Sequence, residues 1–431
     1  MVHFEPNRGP SHATLSFYRS GGCPLMSPEE CADIKTLASS KGKQKNDGPR
    51  VAGSIFVSTI SGTRSGIQGV HKSSSQRFLN GGLVVLAAAL ALVLAQPATA
   101  QRRHRSSGQT WTAKPTAVGL GDQDVTTGDD PAIRAAAVSA LGDLNGTAVV
   151  VDPNNGRVLA MVNQSLALSA DYQPCSTTKM AVALAALHQG VVNENTPIKI
   201  AAHWSVNLTQ ALAYSINAYF EALGEKMGFA TVTGYERELG LGERAGLDIP
   251  GEDPGSVPDA PGPGGVAKLS SFGEGVRISP LQLAAITAAI ANGGTLYYLQ
   301  HPTSAEQIAD FTPKVKRQLP IAALTPDIKD GMLGAVQYGT AKLARLRDEQ
   351  ILGKTGTCSR DGTRFGLFAS YLGIEHPQLV VVVVLRGNRT VFGPRAAQVA
   401  GEIYKTLDQQ HYFEAAANAP QWPALRTRVA H

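Results

Sequence analysis

Residues 351–386 read ILGKTGTCSRDGTRFGLFASYLGIEHPQLVVVVVLR, and the period of this stretch decides the fold. Three β-rich runs, Ile351 to Cys358, Arg364 to Ile374 and Gln378 to Arg386, are spaced as consecutive strands. The last holds five valines in a row, Val380 to Val384, the pattern of a strand buried on both faces. Upstream, Gly146 to Val162 holds two more such runs on either side of Pro153-Asn154-Asn155-Gly156, whose Asn-Gly step favours a tight hairpin turn. The expected fold class is therefore α/β (α+β). One five-stranded antiparallel sheet joins the hairpin to the late strands, with intervening helices forming a lobe on one face and terminal helices covering the other.

Between the hairpin and the late strands the period is helical. Ser176 to His188 carries Ala, Leu and Met at helical spacing behind Pro174, which puts Ser176 at a helix N-terminus. A further helix is expected from about Val206 to Met227, and the Gly/Pro-rich Pro250 to Gly265 reads as a long loop between lobes. Pro280 to Asn292 reads as an apolar, Ala-rich helix ended by Gly293-Gly294, and Pro394 to Leu407 as a closing helix.

Three short motifs carry chemistry. Ser176-Thr177-Thr178-Lys179 is an S-x-x-K whose i, i+3 spacing brings a hydroxyl and an amine onto one helix face. A serine is a poor nucleophile until a base takes its proton, and lysine serves once burial or neighbouring positive charge lowers its pKa. Tyr214-Ser215-Ile216-Asn217 supplies an S-x-N on the expected second helix, and Gly353-Lys354-Thr355-Gly356-Thr357 a K-T-G on the first late strand. Alone each is weak: Ser40 and Lys43 also match S-x-x-K, in a stretch without helical pattern, and Ser205-Val206-Asn207 is a competing S-x-N. In this order, on helix, helix and strand, they form the serine acyl-transferase set. Gly353-Lys354-Thr355 is no phosphate-binding loop, because Asp348 stands where its first glycine belongs. Gly273-Glu274-Gly275 is no dinucleotide fingerprint, because Ile278 replaces the third glycine; it reads as a tight backbone turn.

Residues from about 140 to 410 resemble the transpeptidase domain of penicillin-binding proteins, of the monofunctional kind. The resemblance extends to Gly273-Glu274-Gly275, Ser279-Pro280-Leu281-Gln282-Leu283-Ala284, Ala291-Asn292-Gly293-Gly294 and Leu247-Asp248-Ile249-Pro250-Gly251-Glu252. It implies a penicillin-binding/β-lactamase-like fold and D,D-transpeptidase activity on the D-Ala-D-Ala stem peptides of peptidoglycan, with β-lactams as ligands, cell-wall synthesis proteins as partners and no cofactor. The roles implied are Ser176 as nucleophile, Lys179 as its base, and Ser215 with Lys354 as proton relay to the leaving amine. Asn217, Thr355, Gly356 and Thr357 bind substrate, and the Ser176 and Thr357 N–H groups form an oxyanion hole. The resemblance departs at Thr178, where the family commonly has an aromatic residue, and at Cys175 and Cys358, where it has small ones. The spacing of about 36 residues between Lys179 and Ser215 is also short, and neither a pedestal nor a glycosyltransferase domain is expected ahead of the catalytic one. Alternative readings are a D,D-carboxypeptidase, a β-lactamase-like hydrolase, for which Glu236-Arg237-Glu238-Leu239-Gly240 resembles the deacylating loop with Gly240 in place of Asn, and a non-catalytic β-lactam sensor or scaffold.

Composition agrees with an exported enzyme. With 43% hydrophobic and 17% charged residues among 431, the chain has material for a large core. Its net charge of +5 comes with no dense basic run or aromatic-interleaved patch, so no nucleic acid partner is expected. His71, Lys72 and Arg77 precede the apolar run Gly81 to Leu94 and then Ala98-Thr99-Ala100, the form of a signal peptide or a membrane anchor at residues 71–100. Residues 1–70 read as a disordered or mis-assigned leader, with Val70 as a candidate true start; residues 101–135 read as a linker, 136–410 as the catalytic domain and 411–431 as a tail. The expected location is periplasmic, or the outer face of the cytoplasmic membrane. Export permits a disulfide, and the motifs bring Cys175 and Cys358 near each other, either bonded or as two buried thiols. Of the four cysteines, Cys23 and Cys31 fall in the leader, and Cys175 and Cys358 with scattered histidines give no metal-ligand spacing.

Overall fold

In the computed structural model, which describes residues 123–414, helix α1 (Pro131–Leu141) opens the fold. Asp130 caps it by accepting from the Ala132 and Ile133 N–H groups, and Pro131 supplies the fixed φ of the first turn. Residues ahead of 135, the expected linker end, already take part in the packed structure, since Asp124 and Asp129 hold Arg134 at 3.0 and 2.7 Å. The leader, the signal or anchor segment and most of the tail lie outside the described residues. Among those described, no helix is long and apolar enough to cross a membrane.

Strands β1 (Gly146–Val151) and β2 (Val158–Val162) form the hairpin, followed by the short α2 (Gln164–Leu168). A 3₁₀ turn, Cys175–Thr178, leads into α3 (Lys179–His188). A small hairpin, β3 (Ile198–Ala201) with β4 (Trp204–Val206), precedes α4 (Leu208–Ala213), α5 (Asn217–Met227), α6 (Phe229–Glu238), α7 (Gly265–Phe272) and α8 (Pro280–Ala291). A second small hairpin, β5 (Thr295–Tyr297) with β6 (Val315–Gln318), flanks α9 (Ala305–Ala309) and leads to α10 (Thr325–Gln337). Then come β7 (Ile351–Arg360), β8 (Thr363–Leu372), β9 (Leu379–Gly387) and α11 (Gly393–Gln409).

The five-stranded sheet is antiparallel, in the order β2-β1-β9-β8-β7, so β9 lies at the centre and β7 is an outer strand. The valine run lies in the central strand. Val380, Val382 and Val384 pack into the core under the intervening helices, while Val381 and Val383 pack into the core under α1 and α11. Helix α8 explains its own lack of amphipathicity, since all twelve of its residues are buried. A capping box fixes its start: Ser279 accepts from the Gln282 N–H and the Gln282 side chain accepts from the Ser279 N–H, at 3.1 and 2.8 Å.

One expectation fails. The single helix expected from about Val206 to Met227 is two helices broken at Tyr214–Ile216. The reason is Ser215, whose φ of 56° is left-handed and cannot continue a helix. The competing Asn207 is spent as the N-cap of α4, accepting from the Gln210 N–H at 3.0 Å.

Candidate active site

The site assembles where the N-terminus of α3, the α4–α5 break, the end of α7 and strand β7 meet. The 3₁₀ turn is closed on itself by Pro174, whose carbonyl accepts from both the Thr177 N–H (3.1 Å) and the Thr177 hydroxyl (2.6 Å). This presents Ser176, nearly buried, one turn before Lys179. The Lys179 Nζ lies 2.7 Å from Ser176 Oγ, 2.8 Å from Asn217 Oδ1 and 2.7 Å from the Ser271 carbonyl. Asn217 and Ser271 each offer only an acceptor there. A neutral amine therefore directs its two N–H bonds at them and leaves its lone pair for the Ser176 hydroxyl.

Burial brings the Lys179 amine down to about 7, against the opposing pull of the Glu221 carboxylate. The Phe220 and Phe272 rings flank its Nζ, each centroid 5.6 Å away. The glycine pair at 273 and 275 is the turn expected: Gly273 ends α7 at φ 67°, directly after the Ser271 and Phe272 that line the amine.

A second pair faces the first. Lys354 is fully buried on β7, and its Nζ donates to Ser215 Oγ at 2.8 Å and to the Thr355 carbonyl at 3.0 Å. Burial, with the adjacent Lys179 charge adding to it, holds Lys354 well below the ordinary lysine range. The left-handed backbone of Ser215 is what breaks the helix and lets one segment supply Ser215 to Lys354 and Asn217, the first residue of α5, to Lys179. Thr355 Oγ1 lies 2.7 Å from Thr340 Oγ1, and Thr357 Oγ1 accepts from the Gly393 N–H at 2.7 Å. Gly356 allows β7 to approach the Cys175–Thr178 turn: a Cβ there would stand 3.1 Å from the Pro174 carbonyl oxygen and 3.3 Å from the Thr177 methyl. Cys175 and Cys358 form a disulfide next to this contact.

Residue 236 also reaches the motif, from behind. Glu236 is fully buried and accepts from the Thr178 hydroxyl at 2.8 Å, and burial raises its carboxyl to about 7. Sequence reading missed Thr340 and the Ser271 carbonyl. Ser271 was within reach, because it stands two residues before the glycine turn that was singled out. Thr340 carries no motif and gives no signal. No group of three or more His, Cys, Asp or Glu among the described residues could hold a metal ion.

Residues 146–407, a span that includes all three motifs, match the family described as the penicillin-binding protein transpeptidase domain. The chain belongs to this family. Among similar proteins, the peptidoglycan D,D-transpeptidase MrdA of Acinetobacter baumannii is 25% identical over 66% of this chain and 55% of its own length. The stage V sporulation protein D of Bacillus subtilis is 26% identical over 60% of this chain and 48% of its own. The chain thus spans about half the length of these relatives. A crystal structure of the D,D-transpeptidase domain of a peptidoglycan glycosyltransferase from Eggerthella lenta superposes with a TM-score of 0.52, covering 65% of this chain and 82% of that one at 23% identity. That likeness shows the shared transpeptidase-domain fold.

Proposed function

We propose that this chain is a penicillin-binding D,D-transpeptidase that acts on D-Ala-D-Ala stem peptides of peptidoglycan through an acyl-enzyme on Ser176. The observation that carries the reading is the Lys179 amine, lowered to about 7, 2.7 Å from Ser176 Oγ, with acceptors for both its hydrogens. Ser176 Oγ attacks the carbonyl of the penultimate D-Ala as Lys179 takes the hydroxyl proton. The carbonyl oxygen becomes an oxyanion held by the Ser176 and Thr357 N–H groups. The C–N bond then breaks, and the proton reaches the departing D-Ala nitrogen through Ser215 and Lys354. An amine of a second stem peptide attacks the ester, regenerates Ser176 and completes the cross-link.

Asn217 binds a substrate amide as well as Lys179. Lys354 attracts the substrate carboxylate, with the Thr355 and Thr357 hydroxyls beside it, and Gly356, by letting β7 approach the turn that carries Ser176, sets the free edge of β7 where an extended substrate peptide can pair with it. β-Lactams acylate the same serine. Catalysis takes place outside the cytoplasm, in the periplasm or at the outer face of the membrane, as the signal-like residues 71–100 imply, and cell-wall synthesis proteins are the expected partners.

The test is covalent labelling by fluorescent penicillin, with Ser176→Ala as control. Stable Ser176-dependent label supports the reading, and a stem-peptide assay with and without an amine acceptor then separates transpeptidase from carboxypeptidase. Rapid loss of label with antibiotic hydrolysis makes it a lactamase, and no label on folded protein makes it a scaffold. Glu236, the residue on which a hydrolase would rely, is buried behind Thr178, which favours a long-lived acyl-enzyme.

A further inference from the structure

The nucleophile turn is anchored on two sides by different means. Its side-chain hydrogen bonds among the described residues stay within the turn or run to the helical lobe: Thr177 to Pro174, Thr178 to Glu236, and Lys179 to Ser176, Asn217 and Ser271. On the other side lies β7, an outer strand that pairs with β8 and meets the turn on the sheet face that Gly356 presents. There the turn packs against β7 at Gly356, which has no side chain to interlock. The covalent tie is the disulfide, which joins residues 183 apart in sequence at a Cα separation of 5.7 Å. Its two halves are the residue before Ser176 and the residue after Thr357. Cys175 also begins the turn with φ at 51°, a left-handed conformation that a residue with a side chain keeps only where its surroundings hold it.

We propose that the Cys175–Cys358 disulfide is a positioning device for acylation, setting the distance between the nucleophile turn and β7 so that the Ser176 and Thr357 N–H groups can hold one oxyanion. This rests on the reading of Ser176 as nucleophile. Substrate recognition by Lys354, Thr355 and Asn217 comes from other anchors, so the bond acts on the chemical step and not on affinity. Reduction by a dithiol adds two electrons and two protons, gives two thiols, leaves the reductant as its own disulfide, and releases the strand from the turn.

The full chain is labelled with fluorescent penicillin when oxidised, after dithiothreitol, and after reoxidation, with circular dichroism on each sample. Labelling rate against penicillin concentration separates the noncovalent dissociation constant from the first-order acylation constant. The expected result is a folded reduced protein whose acylation constant is lower by roughly tenfold or more, whose dissociation constant moves little, and whose rate returns on reoxidation. A folded reduced protein that acylates at the oxidised rate, or one that loses affinity alone, overturns the proposal. If the reduced protein unfolds, Cys175→Gly with Cys358→Ala replaces it, because glycine adopts the left-handed conformation freely. That double variant is expected to fold and to acylate slowly; acylation at the oxidised rate, or failure to fold, leaves the bond a purely structural one and overturns the proposal. Ser176→Ala in oxidised protein is the independent control, since label on it defeats the nucleophile reading whatever the disulfide does.

Discussion

The two faces of the turn at residues 176–179 treat a buried ionisable group in opposite ways. On the cleft face, Lys179 has Ser176, Asn217 and the Ser271 carbonyl within 2.8 Å. On the rear face, Glu236 has the Thr178 hydroxyl on one oxygen, while its Oε2 is buried without a hydrogen-bond partner among the described residues. Burial brings both groups to about 7, one from above and one from below. A shifted pKa therefore does not by itself mark a catalytic group. What separates the two is whether the neighbours leave a lone pair aimed at something that can react.

Removing the cleft group gives the largest effect. Lys179→Met, which keeps an unbranched apolar stem and removes the amine proposed as the base, should slow acylation by roughly 10²–10⁴-fold in a penicillin labelling assay. Next comes pH. As the proposed base Lys179 must be neutral to accept the serine proton, so the acylation rate should rise with pH to a plateau with an apparent pKa of about 7, falling about tenfold for each pH unit below it. Stopped-flow labelling between pH 5 and 9 reads this directly, and a flat profile would make Lys179 something other than the base. Asn217→Ala is smaller: it removes one of the acceptors that orient the amine and should cost roughly tenfold or more in the acylation constant. Because a carbonyl stabilises an ammonium more than an amine, the same variant should move the apparent pKa of the profile down.

Glu236→Gln should change acylation least and stability most. The carboxyl rises from an ordinary 4.5 to about 7 on folding, so the folded state binds its proton more tightly. Stability from this group is complete below about 4.5, declines as pH rises, and is lost above about 7. At ~1.4 kcal/mol per pH unit the loss is about 3 kcal/mol. The glutamine variant should thus melt higher than the parent at pH 8 and close to it at pH 4.5, by thermal unfolding at both. An acylation rate that falls as far as in Lys179→Met would erase the contrast between the two faces.

Much of this was legible because sequence period and sheet position are coupled by simple geometry. Five valines in a row argue for a strand with both faces covered, and they occupy the centre of the sheet. The S-x-x-K, S-x-N and K-T-G motifs announced Ser176, Lys179, Ser215, Asn217 and Lys354 through residue type and order. The break at Ser215 was not legible, because the flanking Ala, Leu and Tyr residues fit a helix and only the backbone conformation departs from one. Glu236 was visible as a letter but not as a burial: its position behind Thr178 depends on α6 packing against α3, a contact between residues 58 apart. Thr340 shows the same limit, since only the close approach of the segment after α10 to β7 makes its hydroxyl a neighbour of Thr355.

The cap of α1 has one more consequence. Asp130 spends one carboxylate oxygen on the first turn of that helix and accepts from the Tyr412 hydroxyl at 2.9 Å on the other, just beyond the end of α11. The polypeptide thus enters and leaves this domain at one corner. Such a body can be spliced as a unit into a loop of a host protein, or permuted by joining its ends with a short bridge and opening it elsewhere, without disturbing the sheet between them.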